Sequence, residues 1–223
     1  MNTFELININ KVFYNNDETL EVVKPTSITI PEQTFAAIVG PSGSGKSTLL
    51  TMLGALQKPT SGKLMFGKEL LSNKPQETLA NYRFNDIGFV LQASNLISYL
   101  TIKEQYQLRY KYAKVKVDKK RINEVLASLS ITHIQDKYPE DVSGGERQRA
   151  AIGLALLLKP KVILADEPTA SLDTEKAYDV IEIFKEITRN ESTSVIMVTH
   201  DTRMLTYCDQ IYEMQDGRLR LQQ

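Results

Sequence analysis

The chain has a single cysteine, Cys208, so it can form no internal disulfide, and it suits a reducing compartment. It has no excess of charge, because 27 Lys and Arg balance 27 Asp and Glu. That balance argues against nucleic acid as a bulk partner. No apolar run approaches the ~20 residues that span a bilayer. Residues 150–158 come nearest and fit a buried helix better. Residues 1–5 lack the basic and apolar regions of a secretory signal. No repeat, low-complexity tract or linker is present. The expectation is a soluble, intracellular protein whose work at a membrane, if any, goes through a partner. Its 223 residues, 42% hydrophobic, are enough for one domain with a real core and a subdomain.

What is present alternates between strand and helix signals. Residues 4–9 and 26–30 read as strands, with a turn predicted at Asn15, Asn16 and Asp17. Residues 35–39 are nearly all apolar, as in a parallel strand buried on both faces. Residues 47–56 place Leu49, Leu50, Leu53 and Leu56 at helical spacing, and residues 59–62 predict a closing turn. Residues 102–129 have helical periodicity, many tyrosines and lysines, and no glycine. Asp118 is a candidate N-cap there, with Ile122, Val125, Leu126 and Leu129 on one face. Residues 162–165 and 194–199 repeat the buried-strand pattern. Between them, residues 175–189 form an amphipathic helix with Val180, Ile181, Phe184 and Ile187 inward. Residues 210–221 predict a hairpin turning at Asp216 and Gly217. The sum is one α/β domain over residues 1–223, with a parallel sheet and a mostly helical subdomain over roughly residues 85–158.

Three stretches carry chemistry. Gly40, Gly45, Lys46 and Ser47 satisfy G-x-x-x-x-G-K-[S/T], enclosing Pro41, Ser42, Gly43 and Ser44 and followed by Thr48. A strand before and a helix after supply the context of a phosphate-binding loop. Glycines let backbone N–H groups turn onto phosphate oxygens, and the helix adds its positive end. Lys46 is then expected at the β- and γ-phosphates, Ser47 at Mg2+ and Thr48 at the α-phosphate. An ordinary glycine-rich turn with a surface lysine would need neither flank.

Asp166 and Glu167 end an apolar strand, where α/β sheets bind ligands. Asp166 is expected to hold the metal through water, and Glu167 to polarise the water attacking the γ-phosphate. Alone, a polar turn at a strand end would explain them equally well; the upstream glycine loop tips the balance. His200 ends the strand over residues 194–199 and is placed to contact the γ-phosphate and orient that water. Gln92 follows a short strand over residues 88–91, where an amide can touch both Mg2+ and water. His133 has no such placement and is given no role. Far downstream of the glycine loop, Ser143, Gly144, Gly145, Glu146, Arg147 and Gln148 make a second phosphate-binding turn. One nucleotide needs one such turn, so two imply that two copies share each nucleotide.

In this order and over about residues 4–219, these motifs resemble the nucleotide-binding subunit of ATP-binding cassette (ABC) transporters, with their P-loop NTPase (RecA-like) core and N-terminal antiparallel β subdomain. The resemblance implies a head-to-tail homodimer sandwiching two ATP molecules, each between residues 40–48 of one copy and residues 143–148 of the other. Ser143 and Gly145 would contact the γ-phosphate, with Gly144 and Glu146 completing the turn. Asp173 would lie in the loop coupling the two sites, and Phe13, with Tyr14 beside it, would stack on adenine. The partner implied is a transmembrane permease subunit, and the location is cytoplasmic, peripheral on the inner face of the membrane. Residues 87–92, Asn95, Leu96, Leu100, Thr101 and 165–173 look most like a branch with lipoprotein-releasing, macrolide-export and cell-division members. That branch suggests export or extrusion. A non-transport regulator of a membrane partner, such as a cell-division complex, is the alternative. A soluble ribosome or DNA factor fits worse, because such proteins carry paired cassettes or coiled-coil insertions.

The chain departs from the branch in places. Gly153 and Leu154 replace a usual Arg-Ala after the second turn, and Val142 replaces leucine before it. Leu91 stands for a common phenylalanine, and Gln105 and Tyr106 for Glu-Asn. A sharper reading puts residues 98–106 in a groove that receives a short helix of the membrane subunit, which suits tyrosine. The plainer view of Tyr106, Tyr110, Lys111 and the basic run 114–121 is core filling and a solvated face.

Overall fold

The computed structural model describes residues 1–15 and 18–222, so the turn expected at Asn16 and Asp17 lies outside the described residues. The chain begins with β1 (Asn2–Asn15), β2 (Glu18–Pro31), β3 (Phe35–Val39), α1 (Lys46–Leu53), β4 (Ser61–Phe66), β5 (Glu69–Leu70), α2 (Gln76–Asn85) and β6 (Ile87–Val90). It continues with α3 (Ile102–Tyr112), α4 (Lys119–Ser128), α5 (Gly144–Leu156), β7 (Val162–Asp166), α6 (Thr174–Asn190), β8 (Ser194–Val198), β9 (Gln210–Gln215) and β10 (Arg218–Leu221).

The strands form two sheets. An antiparallel sheet runs β2-β1-β4-β5, and a six-stranded sheet runs β10-β9-β3-β8-β7-β6. In the larger sheet β9, β3, β8, β7 and β6 pair in parallel, and β10 closes it as an antiparallel hairpin. Asp216 and Gly217, with φ of 48° and 79°, make the turn of that hairpin as expected. The apolar runs are buried on both faces, which is why they read as continuous rather than alternating. Phe35 and Ala37 of β3, Ile163 and Ala165 of β7, and Val195 and Met197 of β8 join the helices on one face. Ala36 and Ile38, Val162 and Leu164, and Ile196 and Val198 pack on the other against α1 and the antiparallel sheet.

Helix α1 ends at Leu53, three residues short of the expected limit, and Ser61 and Gly62 open β4 rather than a turn. The stretch 102–129 is two helices. Ala113 caps α3, Lys114 turns the chain at φ 58°, and Asp118 restarts it. Asp118 is the N-cap of α4, its carboxylate accepting from the N–H of Arg121 at 3.0 Å. Arg121 then anchors α4 to its neighbours. Its guanidinium donates to both carboxylate oxygens of Glu191, at 2.9 and 3.0 Å, and to the carbonyl of Leu156 at 3.2 Å. Strand β6, within the stretch expected to be mostly helical, belongs to the six-stranded sheet. α5 lies close against it, so that a Cβ on Gly88 would stand 3.1 Å from that of Ala155.

Two departures noted in the sequence explain each other. Tyr106 is fully buried and donates its hydroxyl to the carbonyl of Ala150 at 2.9 Å. A Cβ on Gly153 would meet that hydroxyl oxygen at 2.0 Å. The ring occupies the space in which a side chain at position 153 would stand. Tyr106 and Gln105 therefore do not line a partner groove. Gln105 is also buried, accepting from the N–H of Ile97 at 2.8 Å and donating to the carbonyl of Leu100 at 3.0 Å. Tyr110 is buried as well, whereas Tyr99, within the expected groove, is 78% exposed.

Gly153→Ala should gain helix propensity of about 1 kcal/mol and lose more to overpacking, roughly 1–3 kcal/mol. A lower Tm is expected, partly restored when Tyr106→Phe removes the clashing oxygen. Additive losses in the double variant would show that the two positions do not share this space.

Candidate active site

The glycine loop leaves β3 at its C-terminal end. Gly40 has φ 148°, and a Cβ there would lie 2.0 Å from the carbonyl oxygen of Met214. Gly45 caps α1 in the left-handed region at φ 104°, where a Cβ would lie 2.7 Å from the carbonyl oxygen of Val22. Only glycine fits either position. The side chain of Lys46 is buried, and its ammonium donates to the carbonyls of Gly40 and Pro41, each at 2.8 Å. The loop is thereby closed on itself around a cation. Ser44 Oγ is buried with no hydrogen-bond partner among the described residues.

β7 ends beside this loop. Asp166 Oδ1 lies 3.5 Å from the hydroxyl of Ser47, the second residue of α1. Burial raises the Asp166 carboxyl above its ordinary value, the Ser47 hydroxyl opposes this, and the neighbouring Glu167 adds to it. Glu167 takes a left-handed backbone, φ 47°, and its N–H donates to the carbonyl of Val198 at 2.9 Å. A non-glycine residue held there is strained, and such strain clusters at functional sites. Its carboxylate lies 2.9 Å from Nδ1 of His200. Glu167, Val198 and His200 share with Val22, Ser42, Gly43, Gly45, Lys46, Ser47 and Thr48 a cavity of about 550 Å³. Two hard oxygen donors, a closed loop of glycines, a lysine and an orphaned buried hydroxyl suit a phosphate chain with Mg2+.

Gln92 is elsewhere. With Asn95, Gly144, Arg147, Gln148 and Ser171 it lines a second cavity of about 650 Å³. Phe13 is no part of the first cavity, whose wall from the antiparallel sheet is Val22. Phe13 is 39% exposed on β1, with the ammonium of Lys11 5.1 Å from its ring centroid. Asp173 is the N-cap of α6 and pairs with the ammonium of Lys176.

Ser143 is the N-cap of α5 in a capping box with Glu146. Glu146 Oε2 accepts from the N–H and the hydroxyl of Ser143, at 2.8 and 2.7 Å. Glu146 Oε1 lies 2.7 Å from Nε2 of His133. The Ser143 hydroxyl, then its N–H, then His133 hold the Glu146 carboxyl down to about 2. Gly145 is buried beneath Lys176, whose Cδ a Cβ on Gly145 would meet at 2.9 Å. His133 and Lys176 were missed because spacing says nothing of a neighbour contributed by another element.

Residues 23–170 match the family described as ABC transporter. The chain belongs to that family. Its relatives include HrtA of Staphylococcus haemolyticus (strain JCSC1435), named for hemin import, at 42% identity over 97% of this chain and 99% of that protein. The ABC transporter ATP-binding protein YxdL of Bacillus subtilis (strain 168) is 37% identical over 98% of this chain and 85% of its own. Among solved structures, the ATP-binding cassette MJ0796, a post-hydrolysis dimer bound to ADP and Pi, matches with a TM-score of 0.89. Identity there is 32%, covering 99% of this chain and 98% of that one. The fold is thus that of a P-loop ATPase cassette, and the chain is an ABC ATPase subunit of a transporter. ABC subunits of this kind work with transmembrane permease partners, and no helix among the described residues is long and apolar enough to cross a membrane.

A carboxylate with a lowered value adds stability above its unfolded pKa and loses it as pH falls through the folded one. The margin of the wild type over Glu146→Gln in thermal melts should therefore be full above pH 4.5 and shrink toward about pH 2. A margin that stays constant on acidification would refute the ionised capping box.

Proposed function

We propose that this cassette hydrolyses ATP between two copies of itself and so drives extrusion of a substrate through a separate membrane subunit. One observation carries the mechanism: Lys46, Ser47, Asp166, Glu167 and His200 gather at the C-terminal edge of β3, β7 and β8, with Glu167 2.9 Å from His200. Glu167 acts as the general base on the attacking water, and His200 orients it and reaches the γ-phosphate. Lys46 turns from the loop carbonyls to the phosphates, with the loop residues Gly40, Pro41, Ser42, Gly43, Ser44 and Gly45 around them and Thr48 at the α-phosphate. Ser47 and Asp166 are the residues that would hold Mg2+, which would spread the phosphate charge when bound, and Gln92, on the wall of the other cavity in this copy, would join them only as the site closes.

The two phosphate-type turns line different cavities in one copy, which supports a site shared between copies. Ser143 and Gly144, both exposed, then face the partner's nucleotide, Glu146 and Gly145 complete the turn, with Gly145 reaching the nucleotide only where Lys176 moves aside, and Asp173 sits at the coupling loop. Phe13 stacks on adenine at the open side. Binding closes the dimer and hydrolysis releases it, a two-state element biased by the γ-phosphate. The subunit is held at the inner face of the membrane by its permease. The extrusion direction rests on the branch resemblance of residues 87–92 and 165–173. Hemin, which HrtA is named for importing, is the first cargo to try with the membrane subunit present, with uptake and extrusion both assayed.

Glu167→Gln should bind ATP, fail to turn it over and accumulate as a dimer in light scattering with ATP and Mg2+. Adding Lys46→Ala should abolish that dimer. A Glu167→Gln protein that remains monomeric at saturating ATP, or one that hydrolyses normally, would overturn the mechanism.

A further inference from the structure

We infer that His133 is a positioning residue for the phosphate-binding turn at Ser143: it holds Glu146, and Glu146 sets the hydroxyl of Ser143. This rests on the proposal above that Ser143 meets the nucleotide of the partner copy.

The support is atomic. His133 stands on a single turn of 3-10 helix, Thr132–Ile134. The flanking Ile131 and Ile134 are fully buried, so the ring projects from a fixed backbone. The Glu146 carboxylate is shared by two donors from different elements. One oxygen takes the N–H and hydroxyl of Ser143, at 2.8 and 2.7 Å. The other takes His133 Nε2 at 2.7 Å. An ionised carboxylate only accepts, so Nε2 carries its proton and the single hydroxyl proton of Ser143 points at Glu146.

Donation from Ser143 to a phosphate oxygen requires that proton to turn away. A ring N–H on the far oxygen draws on the same carboxylate charge and loosens its hold on the serine. It also stops the carboxylate rotating out of the plane that keeps the Ser143 oxygen facing outward. Without His133 the full carboxylate charge competes with the phosphate for one proton. Because Ser143 serves the other copy's nucleotide, the effect appears in ATP-driven association, while the base Glu167 and its water are untouched.

The test is an ATP titration of dimer formation in full-length Glu167→Gln, followed by light scattering. His133→Ala should raise the half-saturating ATP about fivefold, the equivalent of one net hydrogen bond. His133→Gln, which keeps an N–H at similar reach, should return it close to the parent value. Adding His133→Ala to Glu146→Ala should change nothing further. In the hydrolysing protein the same His133→Ala change should raise KM and leave kcat within about twofold of wild type. An unchanged half-saturation for His133→Ala, while Ser143→Ala raises it, would overturn this inference alone. A shift in His133→Ala that Gln does not rescue, or one that persists in full without Glu146, would overturn it too. If Ser143→Ala has no effect, the shared-site mechanism fails, and this inference with it.

Discussion

Three adjacent parallel strands, β3, β8 and β7, are covered on both faces, and that double burial fixes everything built on them. Alternate residues of each strand belong to different cores, so a register slip of one residue would send Ala36 and Ile38 into the wrong one. The observed register pairs Ile38 and Asp166 each with Val198. Parallel pairing then delivers all three strand ends to one edge. The glycine loop, the carboxylates of Asp166 and Glu167, and His200 meet there although about 150 residues of chain separate the first from the last.

The helical half meets this sheet through α5. One end of α5 packs on β6 at Ala155, and the other carries Ser143 and Glu146 exposed or partly exposed. A movement of α5 is thus a movement of the second phosphate turn relative to the sheet. The fit around α5 is tight where Tyr106 fills the space over Gly153, and Arg121 ties α4 to the last turn of α5 and the end of α6. What looked in sequence like a lost surface arginine and an unusual partner groove is a local exchange of volume inside the core.

Around the second turn, residues far apart in the chain act as one unit. His133 reaches Glu146 from a short 3-10 turn, and Lys176 covers Gly145 from α6 while pairing with Asp173. The turn is therefore joined within one copy both to the helical insertion and to the loop at Asp173. In each link one of the two partners, His133 or Lys176, lies outside the recognised motifs.

The sequence by itself determined the local pieces: the buried strands over residues 35–39 and 162–165, the glycine loop between strand and helix, the Asp118 cap and the 216–217 turn. Each is legible because its cause lies within a few residues, in an apolar run, a missing Cβ or a side chain that reaches its own backbone. Only the tertiary structure decided that Tyr106 and Gln105 are buried, that Gln92 lines a different cavity from Glu167, and that His133 has a partner. Those outcomes depend on which helix face meets which neighbour and at what distance. Periodicity gives the existence of an apolar face but not the volume opposite it, and a Tyr ring over a glycine satisfies the same pattern as any other apolar pair.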